Sequence, residues 1–204
     1  MEEKKDKQGI RTFIVSAVIF VVTVAGTGLC SFIFGQEMHY IIRNSVTAGL
    51  GAGVIICLMS QAKEKNLYDY DNSRYCERFL LCYLVAILTA FICGKLPSSG
   101  WPFLPIFVLL ALFSNYIIGI CAGSLFLMIS IMLSGATVEI FFLYFISGVI
   151  AVCVFNGLDE SYKVGIPIIV SLLMLIVSIT AELILFENAT IINIKNTMTS
   201  VKNK

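Results

Sequence analysis

The sequence predicts an all-α fold: a polytopic integral membrane helical bundle of six or seven transmembrane helices. Three observations predict it. The 204 residues are 58% hydrophobic and only 13% charged, with a mean hydropathy of +0.93, whereas soluble domains sit near ~45–50% apolar and ~25% charged. Residues 101–155 carry one carboxylate, Glu139, and no Lys or Arg, although a run of about 18 apolar residues already suffices for a membrane helix. That stretch is broken at Ser114-Asn115-Tyr116 and at Ser134-Gly135-Ala136-Thr137, which read as tight turns between spans. A net charge of +1 lacks the basic footprint of a nucleic-acid-binding protein. The expected surround is the lipid bilayer of the cell membrane.

Residues 1–11 form a polar N-terminal segment. Its Lys4, Lys5, Lys7 and Arg11 place it in the cytoplasm by the positive-inside rule. Span 1 covers 12–34, too long for the ~7–15-residue apolar core of a signal peptide. Thr27 is a poor match for the position ahead of a lipid-modified Cys30, so the span is read as uncleaved. A short outer turn over 35–40 leads to span 2, over 41–62. Arg43 and Asn44 lie at its outer end, where an arginine reaches the interface. Gly49 and Gly53 give it a GxxxG, a pattern that lets helix backbones approach closely.

The polar segment 63–78 holds Lys63, Lys65, Arg74 and Arg78 and is therefore expected in the cytoplasm. Tyr68, Tyr70 and Tyr75 suit an interfacial belt. Asp69, Asp71 and Asn72 lack the spacing and the distal Glu of a calcium loop, so a solvated loop is expected. Span 3 covers 79–94, followed by an outer turn over 95–100. Span 4, over 101–113, is short against the ~20 residues a bilayer needs. Pro102 and Pro105 fall in its first turns, where proline is tolerated. It reads either as a thin crossing or as a re-entrant segment covered by protein.

Span 5 covers 116–133, with Gly119 and Gly123 as a second GxxxG. Span 6 covers 138–155, with Ser147, Gly148 and Ala151 at close-packing spacing. Span 7, over 165–186, begins near Pro167 and closes the bundle of 12–186; a polar tail, 187–204, follows. Seven spans would place Lys195, Lys202 and Lys204 outside, against the charge rule. Counting spans 4 and 5 as one re-entrant unit gives six.

An ionisable residue inside a span is a functional candidate by default. Glu139 and Glu182 qualify, with Arg43 and Asn115 as polar companions. Both carboxylates lie near span ends, where solvation accounts for them. His39 is the sole histidine, and the seven cysteines form no CxxC pair, so they read as small apolar residues. HExxH, GxSxG and Walker A patterns are missing from the sequence, and its Ser and Cys have no nearby general base. The expectation is a protein that is not an enzyme and uses no cofactor or metal.

Residues 75–164 carry a family pattern. Asn72-Ser73-Arg74-Tyr75 precedes an apolar span, and Pro102-Phe103-Leu104-Pro105-Ile106 leads a short one ending in Leu109-Leu110-Ala111-Leu112-Phe113. Next come a turn at Ser114-Asn115, a span with Ile118-Gly119-Ile120, a Ser-Gly turn, and Phe145-Ile146-Ser147-Gly148-Val149-Ile150-Ala151-Val152. This resembles the transmembrane region of the bacterial seven-transmembrane HD phosphohydrolase family. The resemblance implies an extracellular domain after the first helix and a cytoplasmic HD domain that hydrolyses cyclic di-AMP. The chain departs from both, with a short first outer turn and a polar tail in place of the HD domain. Asn156-Gly157-Leu158-Asp159-Glu160-Ser161 also stands where the family is Arg-rich, and no catalytic residue carries over. The resulting expectation is a non-catalytic sensory or interaction module, or a piece of a longer protein, with a membrane-protein partner or a second copy. The alternative is the substrate-binding membrane subunit of a vitamin-type transporter.

Overall fold

The computed structural model describes residues 2–64 and 74–156, together with Leu173, Ile176 and Thr180. Six α-helices occupy the two segments: α1 (Glu2–Ile33), α2 (Met38–Glu64), α3 (Arg74–Cys93), α4 (Phe103–Leu112), α5 (Tyr116–Ser134) and α6 (Val138–Asn156). A 3-10 turn, Ser98–Gly100, precedes α4. The bundle is all-helical among the described residues. Four stretches are long and apolar enough to cross a membrane: Phe13–Ile33, Met38–Ala62, Tyr116–Ser134 and Val138–Phe155. Apart from Leu173, Ile176 and Thr180, the seventh expected span, with Glu182 in it, and the polar tail lie outside the described residues.

The helices outrun the expected spans at their polar ends. α1 begins at Glu2, inside the segment expected to stand apart, and α3 begins at Arg74. Hydropathy marks where the membrane ends, not where the helix does, and Glu, Lys, Gln and Arg are good helix formers. The two short turns fall where glycine permits them. Gly35 and Gly135 both adopt φ +71°, the left-handed conformation that glycine takes without steric cost. Gly135 thereby caps α5, its N–H donating to Ile131 O.

Consecutive helices alternate in direction. Gly94, at the end of α3, lies against Phe34 and Leu133, and Gln36 reaches Met132 O, so the α1–α2 turn and the ends of α3 and α5 share one end of the bundle. α4 then descends antiparallel to α5, placing Phe107 against Gly123 and Ala111 against Gly119. From Leu133 back to Gly119, α5 rises roughly 21 Å at 1.5 Å per residue. Residues 95–112 run alongside all of it. α4 itself has 10 residues, about 15 Å of helix; the 3-10 turn and the extended Trp101 supply the rest. The short span is thus one partly non-helical segment of the bundle. α5 is long enough by length and composition to cross alone, and α4 is a separate helix packed antiparallel to it.

α4 packs against α5 and α6, with Phe103, Leu104, Ile106, Phe107, Val108 and Leu110 buried. Trp101, Phe103 and Tyr144 of α6 form an aromatic cluster with ring centroids 5.7–6.1 Å apart. Two polar tips are satisfied there: Tyr144 Oη donates to Ser98 O at 2.6 Å, and Trp101 Nε1 donates to Leu96 O at 3.2 Å. These bonds tie the non-helical approach to α4 into the bundle, and irregular backbone at membrane depth needs such protein cover.

Candidate functional site

The most polar feature of the interior is a seam along α1. Thr23, Thr27 and Ser31 recur at i, i+4 and i+8, hence on one helix face, and all three are fully buried. A buried hydroxyl without a partner is costly. Thr23 Oγ1 donates to Ile19 O at 2.6 Å, and Thr27 Oγ1 donates to Thr23 O at 2.7 Å. The single hydroxyl hydrogen of Thr23 is thereby committed, so the 2.8 Å contact between Thr23 Oγ1 and Tyr83 Oη is a donation from Tyr83. Tyr83 comes from α3, and its ring meets Phe126 of α5 edge-on at 4.8 Å. Ser130 of α5 donates to Ala90 O of α3 at 2.8 Å and lies 3.1 Å from Phe126 O. Hydroxyls therefore join α1, α3 and α5.

Tyr83→Phe is expected to lower stability by about 1 kcal/mol, the net worth of one such bond. Thermal unfolding in detergent measures it, and combination with Thr23→Val gives a coupling energy in a double-mutant cycle.

At its Gln36 end the seam becomes a carboxamide relay. Gln36 Nε2 donates to Met132 O at 3.0 Å, with Leu133 O at 3.5 Å. Asn44 Nδ2 donates to Gln36 Oε1 at 2.8 Å and lies 3.3 Å from Ser31 Oγ. The orientation of both amides follows from the backbone. A carbonyl only accepts, so the Gln36 NH2 must face Met132, its oxygen must face Asn44, and the Asn44 NH2 must face Gln36. The remaining atom, Asn44 Oδ1, is buried and has no hydrogen-bond partner among the described residues.

The residues singled out from sequence divide differently. Gly119, Gly123 and Gly148 are closest-approach points: a Cβ at Gly119 would lie 2.5 Å from Ala111 Cα and N, and one at Gly123 or Gly148 would lie 2.7 Å from the Phe107 ring. A Cβ on Gly49 would lie 3.2 Å from Val24 Cγ2, whereas one on Gly53 would meet nothing within 4 Å. The tight contact on that stretch of α2 belongs to Gly51, against Leu125.

Arg43 is exposed, its guanidinium 4.8 Å from the Tyr40 ring centroid. Asn115 caps α5, its Oδ1 accepting from Ile117 N at 3.4 Å. Glu139 is exposed in the first turn of α6, where a carboxylate suits the helix dipole. Arg43 and Glu139 lie toward one end of the bundle and Asn115 at the other. They do not form one site. His39 and Glu37 make an exposed pair at 3.2 Å. The described cysteines are free thiols, and no group of His, Cys, Asp and Glu fit to hold a metal occurs among the described residues.

Sequence reading missed Thr23, Ser31, Gln36, Tyr83 and Ser130. It noted Thr27 only for its place ahead of Cys30, and Asn44 only as a neighbour of Arg43. The four-residue repeat of hydroxyls on α1 was the available signal for part of the set. Chemically the seam offers hydroxyls and carboxamides, groups that bond neutral donors and acceptors and hold helices together.

The helices define a class, an α-helical membrane protein. Comparison with protein families, curated proteins and solved structures finds no match to the chain.

Proposed function

We propose that the chain is a non-catalytic module of the cell membrane, with a cytoplasmic N-terminus, that works in sensing or interaction through its packed helices. The observation that carries this reading is how the polar side chains are used. Thr23, Tyr83, Ser130, Gln36 and Asn44 join helix to helix, while Arg43 and Glu139 are exposed near helix ends. Such an interior couples helix positions to one another. Outward, α2 and α3 present Val46, Leu50, Val54, Leu81, Val85 and Leu88, faces suited to lipid and to a membrane-protein partner or a second copy. The resemblance to the membrane part of seven-transmembrane HD phosphohydrolases supports the reading by analogy of pattern alone.

The test is a photo-crosslinking amino acid at Leu50, which is 69% exposed, and at Val85, in native membranes. A discrete protein adduct, with a partner or a second copy, is expected. Lipid adducts alone at both positions, or turnover of a cyclic dinucleotide by the purified protein, would contradict the reading. A thermal shift with a vitamin-type small molecule would favour the transporter subunit instead.

A further inference from the structure

We propose that Asn44 Oδ1 binds a water molecule at the junction of α1, α2 and α5, so that the seam is internally hydrated at its Gln36 end. The proposal is independent of the functional reading above.

The relay fixes the acceptor. Met132 O sets Gln36, Gln36 sets Asn44, and turning the Asn44 amide over would bring its oxygen against Gln36 Oε1, 2.8 Å from the present nitrogen. The orphaned oxygen is therefore built into the network. A buried acceptor left unpaired costs about 1–3 kcal/mol, and acyl chains offer it no donor.

The surroundings decide what kind of donor it takes. A cation is disfavoured: the oxygens at hand on Asn44, Gln36 and Ser31 are all uncharged, and Lys95 already occupies this end, its Nζ 5.1 Å from the Phe34 ring centroid. The nearby carboxylates, Glu37 and Glu139, are exposed, so a buried cation would lack a counter-charge. An anion would need donors where an acceptor points. A neutral O–H donor remains. Asn44 is 0% exposed, which favours the smallest such donor. Bound water takes two to four polar partners, and Ser31 Oγ, which accepts from Asn44 Nδ2, can donate its hydroxyl hydrogen to the same molecule.

Water-edited solid-state NMR on the full chain in lipid bilayers tests this. Magnetisation from water is expected to reach the Asn44 carboxamide and Ser31 several-fold faster than Val46 and Leu50, neighbours on the exposed face of α2. Thr23, deeper in the seam, is expected to stay slow. In Asn44→Leu, Ser31 is expected to slow to the level of Val46. Transfer to Asn44 as slow as to Val46 overturns the proposal, as does a Ser31 that stays fast in Asn44→Leu. The wild-type comparison decides by itself should that variant not fold.

Discussion

Gly119→Val is expected to destabilise the bundle by about 3 kcal/mol, at the upper end of ordinary overpacking penalties. Two effects oppose each other at this position. Removing glycine from a helix interior gains up to about 1 kcal/mol. Against that, the first added carbon would fall 2.5 Å from Ala111 Cα and N, and backbone cannot step aside as a rotamer does. α4 would have to move away from α5, loosening the buried face of Phe103, Phe107 and Leu110. Gly53→Ala is the control. Nothing lies within 4 Å of its new carbon, so only the propensity gain remains and stability should stay level or rise. Unfolding midpoints of both variants in the same detergent check the pair.

Phe107→Ala is expected to cost about 3–5 kcal/mol, the range for emptying a buried aromatic site. The ring is fully buried, and a Cβ on Gly123 or on Gly148 would each come within 2.7 Å of it. It therefore fills a slot formed by glycines of two different helices. The geometry predicts coupling: Gly148→Ala should be harmful with Phe107 present and nearly harmless in Phe107→Ala. Residues in contact show interaction energies of roughly 0.5–3 kcal/mol in such cycles. Additive effects would mean that the ring does not occupy that slot.

Much of the architecture was legible in the sequence because hydropathy and turn residues report it directly. Ser114-Asn115 and Ser134-Gly135 ended helices where expected, since an Asn can cap a helix start and a glycine a helix end. Span 4 was legible as short, but its non-helical approach was not. Its length is made up by a 3-10 turn and an extended Trp101, held by Tyr144, a residue distant in sequence whose bond to Ser98 O no local pattern reveals. The interior site was harder to see for the same reason. Thr23 and Tyr83, or Gln36 and Met132, meet only once the helices pack, and uncharged hydroxyls hardly disturb an apolar run. Attention to ionisable residues led instead to Arg43 and Glu139, which are exposed because a charge is cheapest near a helix end.

Antiparallel packing implies that the described helices cross the membrane in strict alternation, with α4 and its non-helical approach making one full crossing. Single cysteines in a background lacking the native ones, labelled in intact cells with a membrane-impermeant maleimide, measure this alternation. Cysteines at Gly35, Lys95 and Gly135 are expected to label together from outside, while cysteines at Gln61 and Asn115 react only after permeabilisation. Labelling of Asn115→Cys from the same side as Gly135→Cys would contradict it.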